Sequence, residues 1–285
     1  MKDLNYSMKQ LCDRNRDGSY GTRANRAQQL NQIANELRTM GYRNVRSVDQ
    51  LKAKHVWRLV EKWQKENLSP GTIKNRMSNL RWVAEKTGNT SLVAADNKHY
   101  GIADRKYSTN ENKSLQFTQE KLNKIDCAYV RASAVLQREF GLRREESMKI
   151  ILEKSDEGNN LHLFGRECKG GRSRDIPITT ESQREAIEQA KAVAVGRSLI
   201  PVHLSYIKHA RTFGEKMRDA GLGRSHGARH AYAQSRYRTL VGRRSPCEGG
   251  TTPKSRKEEI REKRLAISRE LGHSRESITA VYLGR

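Results

Sequence analysis

A polar stretch without hydrophobic periodicity, residues 95–112, divides the chain into two parts. Before this stretch, apolar side chains recur every three or four residues, a spacing typical of amphipathic helices. Three such helices are expected, over residues 22–40, 48–66 and 70–88. After it, helical patterns resume, and they are interrupted within residues 148–179 by three apolar runs that turn residues separate. The sequence therefore predicts a mainly α fold of two domains, with a small three-stranded antiparallel sheet in the second.

The net charge of +24 indicates a polyanionic partner. Residues 1–110 contain 21 Lys and Arg against 10 Asp and Glu, and residues 111–285 contain 35 against 22, so the two parts carry +11 and +13. The charge is therefore spread over both parts rather than held in one basic tail. Nucleic acid is the expected partner and an anionic membrane surface the weaker alternative. No run of about 18 apolar residues is present that could span a membrane.

The four cysteines, Cys12, Cys127, Cys168 and Cys247, are scattered, with no CxxC pair and no Cys/His pair at zinc spacing. We therefore expect reduced thiols in a cytosolic protein. The first residues lack the apolar core of a signal peptide.

The third expected helix has a polar face with two interpretations. Ser69 and Pro70 would begin the helix as N-cap and first-turn proline. The face consists of basic and amide side chains, namely Lys74, Asn75, Arg76, Asn79 and Arg81. Such a face is either simply solvated or laid against phosphates, with Asn75 and Asn79 able to reach base edges.

A Leu-Gly-His triplet at residues 271–273 is followed by eight residues and then Tyr282. Gly272 is expected to end the preceding helix in the left-handed conformation, and Ser277 to cap a short helix that carries Tyr282. One interpretation is an interfacial tyrosine beside a packing histidine. The other is a tyrosine nucleophile with His273 beside the same reacting group.

Three further motifs lie upstream of Tyr282. Arg143 follows a Gly-Leu pair that breaks a helix, and Glu146 is its neighbour at i+3. Lys169 lies in a turn between the last two expected strands. His226 and Arg229 are three residues apart on a helix, so both could bind the same phosphate. Taken singly, each motif also fits a surface pair or a solvated side chain.

In this order, Gly-Leu-Arg-x-x-Glu, a lysine in a hairpin turn, His-x-x-Arg-His and Leu-Gly-His-x8-Tyr resemble the tyrosine recombinases, the integrase family of phages and mobile genetic elements. The resemblance covers residues 113–285, and the helices before the linker resemble, less specifically, that family's core-binding domain. By the family motif, the catalytic residues would be Arg143, Lys169, His226, Arg229, His273 and Tyr282. Glu146 would support the first arginine, and Arg172 is a further DNA-binding candidate.

The resemblance implies a two-domain DNA clamp. Residues 1–20 would be a flexible basic lead-in, residues 21–94 the helical, SAM-like core-binding domain, residues 95–112 the linker and residues 113–285 the catalytic domain. The interval between His226 and His273 is longer than is usual in the family, because of a Gly/Pro/Ser-rich loop at residues 242–257 that we expect to be exposed. Three residues follow Tyr282, where many members carry a tail that docks on a neighbouring subunit.

The implied reaction cuts and rejoins DNA strands through a 3′-phosphotyrosine. Two guanidiniums would bind the non-bridging oxygens without losing their protons. His226 is expected to accept a proton or bind the phosphate, and His273 to donate to a non-bridging oxygen. Lys169 would protonate the departing 5′-oxygen. No carboxylate cluster accompanies these residues, so we expect neither a metal nor another cofactor.

The implied partners are double-stranded DNA at specific attachment or recombination sites and further copies of the chain, in a tetrameric synapse. An accessory DNA-bending protein is compatible with this organisation. Two alternatives stay open: a DNA-binding protein with a decayed active site, and an enzyme that relaxes supercoils as a type IB topoisomerase does.

Overall fold

The computed structural model describes residues 3–108, 110–223 and 225–285. The chain forms two compact units, with the boundary between Lys106 and Tyr107. The expected linker, residues 95–112, is therefore shorter than predicted at its start. Residues 97–100 form a 3₁₀ turn, and Tyr100 and Ile102 are buried in the core of the first unit. Two apolar side chains within a polar stretch were enough to keep this part of the chain packed.

In its described residues the first unit contains four α-helices. They are α1 (Leu4–Arg14), α2 (Tyr20–Thr39), α3 (Ala53–Lys65) and α4 (Pro70–Thr87). Ser69 caps α4, and Gly88 ends it at φ +67°, as predicted. The helix expected over residues 48–66 is interrupted, because Leu51 is extended between a 3₁₀ turn and α3. Helix α2 begins two residues before the expected start at residue 22, and its cap is Ser19, whose hydroxyl accepts from the Thr22 N–H.

The flexible lead-in expected for residues 1–20 is wrong. Asp3 accepts a hydrogen bond from the Tyr6 N–H and caps α1, and Leu4 and Met8 are buried in the first core. Their spacing, with Leu11 three residues further, is that of an amphipathic helix. The polar residues between them concealed this short apolar stripe in the sequence.

The second unit contains nine helices and one hairpin in its described part. The helices are α5 (Gln119–Asn123), α6 (Ala128–Phe140), α7 (Arg144–Lys149), α8 (Leu152–Ser155), α9 (Glu181–Ala194), α10 (Tyr206–Asp219), α11 (His226–Val241), α12 (Lys257–Glu270) and α13 (Ala280–Leu283). Helix α6 lies between two hydrophobic clusters, with Leu136 and Phe140 in one and Val130 and Ala134 in the other. None of the described helices is both long and apolar enough to cross a membrane.

The sheet has two strands rather than three in the described residues. Strands β1 (Asn160–Leu163) and β2 (Arg174–Pro177) are antiparallel, with Leu161 opposite Ile176. Of the run expected to form the first strand, Ile151 makes one isolated bridge to Ser198, and Leu152 begins α8. Continuous apolar runs are ambiguous in sequence, since a buried helix turn and a buried strand both produce them.

Candidate active site

Arg143 and Glu146 are joined at the N-terminal end of α7, as their spacing predicts. The Arg143 backbone N–H donates to Glu146 Oε2 at 2.8 Å, and its guanidinium donates to Oε1 at 2.6 Å. The NH2 group of Arg143 also lies 3.4 Å from the carbonyl oxygen of Leu271. The arginine side chain nevertheless keeps 21% of its surface exposed and lines a cavity of about 390 Å³. One edge of this fixed cation is therefore open to an anion.

Arg174 supports Glu146 from the other side, and sequence reasoning missed it. The NH2 group of Arg174 donates to Glu146 Oε2 at 2.7 Å, and Nε donates to the Glu270 carbonyl at 2.8 Å. Burial alone would raise the pKa of Glu146, but the hydrogen bonds and charge of Arg174, with the charge of Arg143, lower it to about 2. Glu146 is therefore ionised and holds two guanidiniums. Strand alternation contained the signal, since Arg174 lies on the same face as buried Ile176.

Arg229 is buried in the first turn of α11 and binds two main-chain segments. Its NH1 group donates to the Gly141 carbonyl at 2.6 Å, and NH2 donates to the Leu271 carbonyl. Both carbonyls follow the ends of helices, where main-chain oxygens lack helical partners. Burial lowers the pKa of Arg229 to about 10, so the guanidinium keeps its charge at neutral pH. The Nε–H points to the Tyr282 hydroxyl at 3.3 Å.

Tyr282 lies on α13 with its hydroxyl between Arg229 and His273. The second neighbour of the hydroxyl is His273 Nε2, at 3.5 Å. Gly272 is left-handed at φ +71°, as predicted, and turns the chain from α12 toward His273. The short helix is not capped by Ser277, which lies within a 3₁₀ turn at Glu276–Thr279. The cap expectation was wrong because this turn runs directly into α13.

The residues around the Tyr282 hydroxyl form a cluster with Arg143 and Arg229, and the histidines of this cluster are neutral. Burial, followed by the charges of Arg229, Arg143 and Arg174, lowers the pKa of His273 to about 4. Burial and the charges of Arg229 and Arg143 also lower the pKa of His226, whose ring centroid is 6.1 Å from that of Tyr282. Positive charge and burial disfavour an imidazolium here. At neutral pH the cluster thus combines cationic guanidiniums with imidazoles that can accept a proton.

Comparison with known families fits this arrangement. Residues 1–93 match the family described as phage integrase, N-terminal, and residues 102–235 match the family described as integrase. The chain belongs to the tyrosine recombinase family. The integrase match contains Arg143, Lys169, His226 and Arg229 and ends before His273 and Tyr282. No curated protein matches the recombinase significantly in sequence.

Solved structures share the fold of the recombinase at low identity. Lambda integrase bound to DNA has 17% identity and a TM-score of 0.53, over 82% of this chain and 88% of that one. The Tn1549 transposon integrase in complex with circular intermediate DNA has 15% identity and a TM-score of 0.59, over 100% and 96%. XerH site-specific recombinase, bound to a palindromic difH substrate in a post-cleavage complex, has 14% identity and a TM-score of 0.60, over 98% and 80%.

Lys169 of the recombinase lies in the long connection between β1 and β2. Its side chain is exposed, and it lines the same cavity as Arg143 and His226. Gly170 follows it with φ +88°, which forms the turn. Arg172, the DNA-binding candidate beside it, is exposed and donates to the Ser274 hydroxyl at 3.3 Å.

His230 is a further residue of the cluster that sequence reasoning did not assign. Its ring packs on Tyr282 at 4.8 Å between centroids and on His226 at 5.5 Å. Burial, with the charges of His226, Lys113 and Arg229, lowers its pKa to about 4. It follows Arg229 directly in the His-x-x-Arg-His motif, and this adjacency was the available signal. In the described part of the chain, its buried Nδ1 atom has no hydrogen-bond partner.

The loop at residues 242–257 is less exposed than expected. Ser245 is fully buried, and a 3₁₀ turn at Pro246–Glu248 packs against the end of the chain. The Cys247 thiol donates to the carbonyl oxygen of Tyr282 at 3.2 Å. A loop rich in Gly, Pro and Ser suggests exposure, but here its small residues permit close packing.

The polar face expected on α4 is mostly engaged within the first unit. Arg76 is buried, with NH1 3.0 Å from Glu36 Oε1, so its assignment as a DNA-contacting residue is wrong. The other members of the face have neighbours as well: Asn79 donates to Gln29, Arg81 to the Ala94 carbonyl, Lys74 to Asp104, and Asn75 accepts from Arg105. The helical period predicted that Arg76 faces solvent, but its side chain is buried because it pairs with Glu36 of α2. Among these five side chains of α4, Asn75 is exposed, Arg76 is buried and the other three are half-buried.

Proposed function

We propose that the protein is a site-specific DNA recombinase of a mobile genetic element, with Tyr282 as its nucleophile. One observation carries this assignment: the Tyr282 hydroxyl lies 3.3 Å from Arg229 Nε and 3.5 Å from His273 Nε2. A hydroxyl between a fixed cation and a neutral base is suited to attack an anionic phosphodiester. Membership of the integrase family supports the same activity.

The proposed reaction begins when Arg143 and Arg229 bind the non-bridging oxygens of the scissile phosphate. The Tyr282 oxygen attacks phosphorus, and the bond between phosphorus and the 5′-oxygen breaks. A 3′-phosphotyrosine forms, and the 5′-oxygen leaves as a hydroxyl after taking a proton from Lys169. In the second transfer a 5′-hydroxyl attacks the phosphotyrosine, so the strand is rejoined and tyrosine is released. The two charged guanidiniums stabilise the negative charge that develops on phosphate.

The proton of Tyr282 passes to a neighbouring imidazole. His273 Nε2 lies 3.5 Å from the hydroxyl and is neutral, because its pKa is lowered to about 4. The negative charge of a bound phosphate would raise this pKa and make the imidazole a stronger proton acceptor. His226, expected from the sequence to accept a proton or bind the phosphate, lines the cavity with Arg143, which supports the phosphate-binding role. The proposal therefore keeps one of the two roles expected for His226 and changes that of His273 from hydrogen-bond donor to proton acceptor.

The proposal also includes the DNA target, the oligomeric state and the cellular location. We propose specific attachment sites in double-stranded DNA, a tetrameric synapse and action in the bacterial cytoplasm or nucleoid. The resemblance to DNA-bound recombinases supports the first two. A decayed DNA-binding protein and a type IB-like relaxing enzyme are not favoured by a specific observation. A requirement for a defined sequence in the cleavage assay would exclude the relaxing enzyme.

Replacement of Tyr282 by Phe is expected to abolish cleavage and preserve DNA binding, because only the attacking oxygen is lost. The protein is incubated with fragments of the DNA that flanks its gene, and covalent adducts are captured after denaturation and sequenced. A nicked duplex of the recovered sequence then gives a band of retarded protein on a denaturing gel. Tyr237→Phe is the matched control, since Tyr237 is buried and its hydroxyl has no hydrogen-bond partner in the described residues. An adduct that persists in Tyr282→Phe would exclude Tyr282 as the nucleophile.

A further inference from the structure

The residues that open the second unit hold the main chain on both sides of Tyr282. Ser108 Oγ donates to the Ala280 carbonyl at 3.0 Å, and Asn110 Oδ1 accepts from the Arg285 N–H at 2.9 Å. Ala280 begins the one-turn helix α13, and Arg285 follows its end. A single helical turn is not stable alone, since nucleation is unfavourable. The two bonds therefore fix the short helix at both ends.

The contact at the C-terminal side is closely packed. Gly284 has φ +78°, and a Cβ atom placed on it would come within 3.1 Å of Asn110 Oδ1 and 2.8 Å of the Cys247 nitrogen. Asn110 itself is left-handed at φ +54°, a conformation that asparagine tolerates better than most residues. This close approach holds Asn110 and Gly284 in one relative position.

The same segment is also bound to α11, the helix that carries His226 and Arg229. Asn112 Oδ1 accepts from Gln234 Nε2 at 2.9 Å, and the Leu115 N–H donates to the Gly227 carbonyl at 3.0 Å. Gln234 Nε2 in turn reaches the Tyr282 carbonyl at 3.4 Å. Residues 108–115, with Thr109 outside the described residues, thus contact both the helix of the phosphate-binding arginine and the helix of the nucleophile.

We propose that Ser108 and Asn110 are positioning residues for Tyr282. Their bonds, as far as the structure describes them, go to the main chain at the start of the nucleophile's helix and just beyond its end, and they set the distance between the tyrosine oxygen and the phosphate site. The segment that follows the first unit thereby determines how Tyr282 is presented. Attack on phosphorus is sensitive to displacements of about 1 Å, so small shifts of α13 change the rate. This inference rests on the proposed function, because it requires Tyr282 to be the nucleophile.

The test measures single-turnover formation of the covalent adduct on a labelled nicked duplex that carries the recovered site. Asn110→Gly removes the acceptor oxygen and keeps the left-handed backbone, and Ser108→Ala removes the donor. Each neutral hydrogen bond is worth about a factor of two to ten. We expect the rate constant of the double variant to fall about 10-fold or more, while the Kd for the same duplex stays within about twofold.

Two matched variants separate positioning from flexibility. Glu111→Gly adds a glycine at the next residue, whose exposed carboxylate pairs with Lys113, and we expect it to react like the wild type. Asn110→Asp keeps an acceptor oxygen, so it is expected to restore most of the rate that Asn110→Gly loses. If Asn110→Gly and Glu111→Gly slowed cleavage equally, the proposed role of the Asn110 side chain would be overturned.

The remaining outcomes are also decisive. Loss of folded protein lowers the amplitude of adduct formation at an unchanged rate constant, and that result would assign Ser108 and Asn110 a merely structural role. Equal rate constants for the wild type and the double variant would refute the positioning role and leave Tyr282 as the nucleophile. Absence of an adduct with the wild type would overturn the proposed function and this inference with it.

Discussion

Glu146 shows how one buried carboxylate organises a cationic site. Its Oε1 accepts from Arg143 NH1 at 2.6 Å and its Oε2 accepts from Arg174 NH2 at 2.7 Å, so both guanidiniums are fixed in orientation. The Arg143–Glu146 pair followed from i,i+3 spacing, whereas Arg174 lies 28 residues further along the chain. Local spacing predicts helix neighbours, but a partner from a distant strand depends on how the strand packs. This is why the pair was predictable, whereas strand alternation indicated only that Arg174 is buried and not which carboxylate it binds.

Replacement of Glu146 by Gln is expected to destabilise the second unit by about 3–5 kcal/mol, since two buried guanidiniums lose their counter-charge. The pKa of Glu146 in the folded protein, about 2, lies below its ordinary value of 4.5. Its stabilisation is therefore complete above about pH 4.5 and is lost as pH falls through about 2. Urea unfolding at several pH values should show the gap between wild type and variant closing over this range.

The matched control for this experiment is Glu145→Gln. Glu145 is half exposed and pairs with Lys149 on the surface of the same helix, so its loss is expected to cost less than about 1 kcal/mol. Equal effects of the two substitutions would contradict the central role of Glu146.

Replacement of Lys169 by Ala is expected to slow cleavage by about 10²–10⁴-fold, the usual contribution of a general acid. A substrate with sulfur in place of the bridging 5′-oxygen has a leaving group that needs no proton, so it should restore most of the rate. Arg143→Ala should not be rescued, because Arg143 stabilises charge rather than transferring a proton. The measurement is single-turnover cleavage of both substrates. Rescue of both variants, or of neither, would exclude Lys169 as the acid.

At the scale of elements, the site is built from helix ends. Helices α6 and α12 finish beside each other, and Arg229 binds a carbonyl from each end. In the sequence, Gly141 and Gly272 predicted the C-terminal ends of these two helices, and both glycines adopt the left-handed conformation. Their convergence on one arginine could not be predicted, because the bonds span 88 and 42 residues. Sequence patterns predicted where elements stop, while tertiary packing decided what their free carbonyls bind.

Replacement of Gly141 by Ala tests this convergence. A Cβ atom at Gly141 would come within 2.6 Å of the Tyr232 ring, in addition to the cost of φ +58°. Gly242→Ala is the control, since Gly242 ends α11 at φ +75° with nothing within 4 Å of the added atom. We expect about 1–2 kcal/mol of destabilisation for the control and about 2–5 kcal/mol for Gly141→Ala, measured by urea unfolding. Cleavage should fall only in Gly141→Ala, which displaces the carbonyl that Arg229 binds.

At the scale of the whole molecule, the sequence predicted two domains and their class, and the structure brings Arg143, Arg229, His226, His273 and Tyr282 of the candidate set close together. It misplaced the features that depend on partners distant in sequence. Arg76 was assigned to the surface by helical period, and Glu36 holds it inside. The opening helix α1 was missed because its apolar stripe is only three residues. Charge, by contrast, is a bulk property that needs no fold, and it indicates a polyanionic partner whatever the tertiary packing.

Binding to DNA is expected to depend strongly on salt, because both parts of the chain carry a large positive charge. With about 6–10 phosphate contacts, affinity should fall about 10³–10⁵-fold between about 50 and 200 mM salt. Lys74→Gln should lower the slope of log K against log salt by about one if this lysine binds phosphate. Arg76→Gln, which alters an interior ion pair, should leave the slope unchanged. Fluorescence anisotropy with the recovered duplex measures the salt dependence of binding for the wild type and both variants. A reduced slope in Arg76→Gln would contradict the assignment of Arg76 to the interior.

The position of Tyr282 beside Arg229 of its own chain has a genetic consequence. In the proposed reaction each copy uses its own Tyr282 and its own Arg229, whose Nε lies 3.3 Å from the tyrosine hydroxyl, and its own Ser108 and Asn110 bind the main chain on either side of Tyr282. Two defective alleles, one lacking the tyrosine oxygen and the other lacking the arginine, would therefore not complement each other in a cell that expresses both. A mobile element that depends on this protein would have to inherit all of these residues in one intact copy of the gene.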